Sequence, residues 1–464
     1  MTTAERLSES KNGRRRKPLR QTVRFSQGFR VPLLEQEMKK ELAFSSIIVL
    51  SLSALGLAQS NNGESNSRSS KVVVTSTLRP APTPIPRVAV TPTPIIVGSA
   101  PSTGPSTDPS ANSYSPAASN VNFDGLSFSQ IKSRLAEAKR EMQSRPVTIG
   151  SSEAVGNDPI YFVKIAYLDE RTRQIEFVSL SKDAFLAKNT TSSAVSTDGS
   201  TLFFRNVRAN GVNTPIILTD QSGRSKLPLM IQYPVVRNGR FIETAYYVST
   251  HPGIITPDVI SAGRYYVRNT IEVAREKLRH AGYVIQPKVA DIAERLATVE
   301  HVDHWRFRTE LHPNIFNDIF TLYALNEGQT YRYSVSSAGA GGMVQMIPST
   351  YRMVRARFPQ ANLMPDFVSG MQDHVNATKA MLLYMQMTWN DLASNDTISQ
   401  AMADGIARQE DLMAAGYNSN PARLAGYIRR GGADWTNLIP RETQIYLQIF
   451  ASLERAVPLA ARTH

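Results

Sequence analysis

Residues 324–350 read ALNEGQTYRYSVSSAGAGGMVQMIPST, and this stretch decides how the C-terminal part of the 464-residue chain is read. Glu327 closes an apolar-faced segment, NIFNDIFTLYALNE, that opens after Pro313, and Gly328 is a natural helix cap. A carboxyl group at that end of a helix feels the negative end of the dipole. In a half-buried pocket, which the pattern predicts, both effects favour its protonated form. A carboxylic acid that keeps its proton near neutral pH suits general-acid work on a glycosidic oxygen. The run Gly339–Ala340–Gly341–Gly342 is too poor in side chains for ordinary helix surface and would let backbone and ligand approach closely. Gln345 follows, and Pro348 opens the next helix.

Working outward, the chain around this stretch is helical. Thr256–Pro257 opens one helix that Gly282 can end, and Pro287 opens VADIAERLATVEHV, with the spacing of a buried face. Further helices are predicted at about 348–358, 373–392, 397–415, 421–430 and 440–456. Two later segments stand out: AAGYNSNPARLAGYIRR (414–430), with Tyr417, Asn418 and Pro421, and IPRETQIY (439–446).

Together these segments resemble the soluble lytic transglycosylase (SLT-type) family of the lysozyme-like superfamily, over roughly residues 287–456. That family carries its acid in E-S-x-F, followed by S-x-x-G-A-x-G-L-M-Q-x-x-P. Eighteen positions separate Glu327 from Gln345, the family spacing, and Ser336, Gly339, Ala340, Gly342 and Pro348 fall in the same register. Tyr417, Asn418 and Pro421 resemble A-Y-N-A-G-P, and Pro440, Glu442, Thr443 and Tyr446 resemble the closing P-x-E-T-x-x-Y. The chain departs from the pattern at Gly328, Thr330, Met343–Val344 and Ser419–Asn420.

The resemblance implies a helical lysozyme-like domain that cleaves the β-1,4 bond between N-acetylmuramic acid and N-acetylglucosamine and leaves a 1,6-anhydromuramic end. Glu327 would be the general acid and then the base. Ser336, Met343, Gln345, Tyr417, Asn418, Glu442 and Tyr446 would bind substrate or support the cleft. One recycled proton explains why no partner carboxylate, metal or cofactor is called for. A water-using muramidase and a catalytically inactive peptidoglycan-binding or envelope-assembly module are the alternatives. In the cluster Glu300–His301–Asp303–His304, His301 and His304 have the i, i+3 spacing of helix-borne ligands, but adjacent residues point away from each other, so it is read as a polar helix end and no metal is assigned.

Upstream the pattern changes period. YFVKIAYL (161–168) and QIEFVSLS (174–181) flank a polar turn, and LFFRNVRA (202–209), PIILTD (215–220) and LPLMIQYPVV (227–236) follow. Asn238–Gly239 before RFIETAYYV is a two-residue hairpin signal. A helix is predicted over 127–143, ended by Pro146. Residues 122–253 thus read as a small β-rich domain with no catalytic constellation, and 254–464 as the helical domain. The fold class expected is α+β multidomain.

Residues 59–121, as in RPAPTPIPRVAVTPTPIIV, are dominated by Ser, Pro, Thr, Asn and Ala and read as a disordered tether. LAFSSIIVLSLSALGLA (42–58) follows Met38–Lys39–Lys40, so 38–58 reads as a secretory signal peptide, or, if retained, as an anchor on the inner membrane. Residues 1–37 then form a basic extension, or result from a misassigned start. Export to the periplasm or cell envelope is the expectation. The net charge of +13 includes 11 basic and 4 acidic residues within 1–40, which leaves +6 for the rest. That balance suits an anionic partner such as a cell wall or membrane surface and is too weak to argue for nucleic acid; the partner the resemblance implies is the peptidoglycan glycan strand. There is no cysteine, which excludes disulfides, thiolate metal sites and a lipoprotein anchor.

Overall fold

The computed structural model describes residues 126–151, 159–188 and 190–463; the proposed signal and tether lie outside them. It is an α+β chain in which a β-rich region over 149–247 precedes a helical part. Among the described residues, no helix is long and apolar enough to cross a membrane.

The chain enters through helix α1 (Phe128–Gln143), which starts in a reciprocal cap between Ser127 and Gln130. Strands β1 (Ile149–Ser151), β2 (Pro159–Leu168) and β3 (Ile175–Ser181) follow, then the short α2 (Lys182–Leu186). Next come β4 (Ser192–Val195), β5 (Thr201–Asn206), β6 (Ile216–Asp220), β7 (Leu227–Arg237) and β8 (Arg240–Tyr247). One antiparallel sheet runs β1-β2-β7-β8 with β3 also on β2, and a second runs β4-β5-β6. The predicted hairpins are present. β2 and β3 pair from Phe162↔Ser181 to Leu168↔Ile175, and Asn238 and Gly239 turn β7 into β8 with φ 51° and 72°. The strands β1 and β4 and the helix α2 were not expected; they are too short to carry a period.

The larger sheet is covered on both faces, which is why β7 reads as a nearly unbroken apolar run. Val163, Ile165 and Tyr167 face Leu202, Phe204 and Leu218 of the smaller sheet. Ala166, Leu168, Leu227 and Leu229 face Ile131, Leu135 and Met142 of α1, and this second core also takes in Val259 and Ala324 from the helical part.

The helical part comprises α3 (Pro257–His280), α4 (Pro287–Val299), α5 (His304–Thr309), α6 (His312–Asn326), α7 (Pro348–Arg357) and α8 (Phe367–Gln372). It continues with α9 (His374–Ala393), α10 (Asp396–Ala403), α11 (Gln409–Asn418), α12 (Leu424–Gly431) and α13 (Arg441–Ala456). The helix expected over 397–415 is two helices, because Gly405 takes φ 69° and breaks the run. Helix α6 buries Ile315, Phe316, Ile319, Phe320 and Tyr323 on one face. It lies so close to α3 that a Cβ at Gly263 would overlap the Phe320 carbonyl. Since α6 ends at Glu327, this packing fixes where the candidate acid emerges.

Candidate active site

Glu327 is the C-cap of α6, with φ 44° and ψ −129°. A non-glycine residue in that conformation costs on the order of 1–3 kcal/mol and persists only where its surroundings hold it. Here the Thr330 N–H and hydroxyl both donate to the Glu327 carbonyl, at 2.9 and 2.8 Å, and the hydroxyl also reaches the Leu322 carbonyl at 3.0 Å. The Thr330 carbonyl accepts from His374 Nε2 at 2.7 Å, and His374 Nδ1 lies 2.8 Å from the Tyr266 hydroxyl. A carbonyl cannot donate, so Nε2 carries the proton. Burial disfavours the charged imidazole, and Nδ1 therefore accepts from Tyr266. Burial, with the nearby Glu327 charge adding to it, pushes the Tyr266 hydroxyl up to about 12.

The expected half-buried carboxyl is not what this turn produces. The left-handed residue swings the side chain off the buried face of α6, and it is 54% exposed. Its Oε1 accepts a hydrogen bond from Lys132 Nζ at 2.7 Å. Lys132 comes from α1, 195 residues earlier. Next to it, the buried Asn326 side chain pairs with both main-chain groups of Val248. Asn326 Oδ1 accepts from the Val248 N–H at 2.8 Å, and Nδ2 donates to the Val248 carbonyl at 3.1 Å. Helix α1 and the segment just after β8 thus hold both residues at the end of α6.

The glycine-rich stretch folds into a tight hairpin. The Ser336 N–H donates to the Ala340 carbonyl, the Ala340 N–H to Ser336 Oγ at 3.0 Å, and the Gly341 N–H to the Met346 carbonyl. Gly339 and Gly342 take φ 78° and 68°, and a Cβ at Gly342 would overlap the Met371 carbonyl. Gln345, at φ 46°, donates from Nε2 to the Gly342 carbonyl at 2.9 Å. Ser336 and Gln345 are therefore engaged within the hairpin, and both keep solvent contact.

Other elements hold the hairpin from behind. Tyr417 donates to the Val344 carbonyl at 2.6 Å, and His301 Nε2 to the Met343 carbonyl at 2.9 Å. The His301 ring stacks on Tyr331 at 3.4 Å, and burial lowers its pKa to about 3. Thr443 donates to Asn418 Oδ1 at 2.8 Å, which ties α13 to α11. Tyr446 donates to Glu300 Oε1 at 2.6 Å. Burial raises the Glu300 carboxyl to about 8, with the Tyr446 hydrogen bond opposing and the Glu442 charge adding.

One expected substrate contact does not hold as such: Met343 is fully buried, because its side chain turns into the helical core. Tyr446, placed by the sequence as a support of the cleft, is 3% exposed and gives its hydroxyl to Glu300. Glu442 is exposed, and Asn418 and Tyr417 are partly so. Among the described residues, no group of three or more His, Cys, Asp or Glu could hold a metal ion. His301 serves the hairpin, while Asp303 caps α5 and pairs with Arg208.

Sequence reasoning missed Lys132, Tyr266, His374 and the role of Glu300. None of them lies in the segments that carry the motif, and only the fold brings them to it. Compared with known proteins, the chain matches no family model, no curated protein and no solved structure.

Proposed function

We propose that this protein is an exported peptidoglycan lytic transglycosylase with a lysozyme-like helical domain, acting in the periplasm or cell envelope with Glu327 as its acid and base. The observation that carries the reading is the register from Glu327 to Pro348, which falls on a helix end followed by a tight glycine hairpin. In this reading Glu327 protonates the glycosidic oxygen, and the C1–O bond breaks as charge develops on C1. The Glu327 carboxylate then takes the proton of the muramic C6 hydroxyl, whose oxygen bonds to C1. No water enters: the leaving oxygen keeps the proton it received, and the C6 hydroxyl proton restores the acid form of Glu327. Ser336, Gln345, Asn418 and Glu442 are the accessible polar groups that would meet sugar hydroxyls and amides.

The exposed, lysine-paired Glu327 favours a second reading, a protein that binds peptidoglycan without cutting it. Digestion of purified sacculi by the full chain and by Glu327→Gln, with mass analysis of the released fragments, separates the two. The lytic reading expects anhydromuropeptides from the first protein and almost none from the second. Binding to sacculi without any release supports the second reading. Products heavier by one water would identify a muramidase.

A further inference from the structure

Lys132 touches the candidate acid directly, and the proposed chemistry does not use it. Its ammonium sits on Oε1 of the Glu327 carboxyl, at 2.7 Å. It also lies over the Phe128 ring, 5.6 Å from the centroid, on the exposed side of α1. The contact is registered rather than accidental. Helix α1 is packed on the large sheet through Ile131, Leu135 and Met142, and that sheet is joined to the end of α6 by the Asn326–Val248 pair. Arg332, five residues beyond Glu327, also reaches Glu243 of β8, at 3.4 Å.

An ammonium hydrogen-bonded there occupies one of the two carboxyl oxygens, so a substrate that uses this group has to displace it. Both partners are about half exposed, 49% for the lysine and 54% for the glutamate, so water already competes and the exchange costs little. What would draw the ammonium away is another anion of suitable reach. Peptidoglycan strands supply one next to the scissile bond, as the muramic lactyl carboxylate where no peptide is attached, or as the peptide carboxylates where one is. A neutral N-acetylglucosamine oligomer does not.

We propose that Lys132 is a specificity residue of this site: it caps Glu327 in the free protein and transfers to a carboxylate of the incoming strand, so that anionic strands are favoured over neutral ones. This rests on the lytic reading of Glu327, and it gives the β-rich region a part in substrate choice.

The test measures binding of the full chain to two probes, a neutral N-acetylglucosamine tetramer and soluble peptide-bearing glycan strands. It compares wild type, Lys132→Ala and Lys132→Arg. Removing an exposed pair should let Lys132→Ala bind the tetramer up to about fivefold more tightly. The preference of wild type for anionic strands should shrink by at least the same factor, and Lys132→Arg should keep it. An unchanged preference in Lys132→Ala overturns the proposal, as does binding of neither probe by wild type and Lys132→Ala. Anhydro-product release by wild type against Glu327→Gln is scored separately. A shifted preference without such products leaves Lys132 as a specificity residue of a binding protein and removes the lytic reading.

Discussion

Replacing Asn326 by alanine tests how the candidate acid is held. The asparagine side chain satisfies a buried N–H and a buried carbonyl of Val248, at 2.8 and 3.1 Å, and is itself 8% exposed. Truncation leaves both main-chain groups without a partner in a space water does not readily enter. An orphaned buried polar group costs about 1–3 kcal/mol, so two give roughly 2–5 kcal/mol after partial relaxation. Asn326→Asp should fall between wild type and alanine, or below alanine. It keeps the acceptor for the N–H but turns an oxygen towards the Val248 carbonyl. Urea unfolding of the full chain, followed by circular dichroism, reads the stability directly from the midpoint at constant slope. Because Asn326 also fixes the turn at Glu327, any sacculus-degrading activity should drop in the same variants at temperatures where they stay folded. A loss below about 0.5 kcal/mol for Asn326→Ala, the range of an ordinary surface change, would refute the reasoning.

Two further substitutions probe the site. Gly342→Ala should cost about 1–3 kcal/mol and abolish the hairpin geometry, because the new methyl group meets the Met371 backbone at a φ that disfavours alanine; a melting temperature equal to wild type would count against this. Glu300→Gln should flatten the alkaline slope of stability. The folded carboxyl titrates at about 8 against an ordinary 4.5, so its contribution is complete below 4.5 and is lost as pH rises through 8. Melting temperatures should therefore lie close together near about pH 5 and separate towards about pH 9, where wild type falls below the variant; parallel curves would contradict the assignment.

The local parts of this structure were readable from sequence, and the long-range parts were not. Alternating residues and the Asn238–Gly239 pair announced β2, β3, β7 and β8, because period and turn chemistry are both local signals. Prolines marked the starts of α3, α4 and α7, where a missing N–H does no harm. The motif register located Glu327, Ser336 and Gln345 on a helix end and a hairpin, yet it could not say which way the glutamate would point. That depends on one left-handed residue and on a lysine 195 positions away. Met343 lies inward for a related reason: it and Val344 are both packed into the helical core behind the hairpin, a contact the sequence does not show. The polar run at 300–304 reads from sequence as a polar helix end, because adjacent residues on a helix point apart. In the fold they diverge, with Glu300 reaching Tyr446, His301 the hairpin, and Asp303 the start of α5.

The Asn326–Val248 pair also has a bearing on how the chain can be cut. A side-chain amide that mimics a neighbouring strand joins the two regions by the same bonds that join strands within a sheet. The sequence suggests a boundary near residue 253, but a knife placed there would strip the amide of its mate and bare Val259 and Ala324. Whoever trims this protein for study should expect the isolated helices to misbehave, and should leave the seam intact.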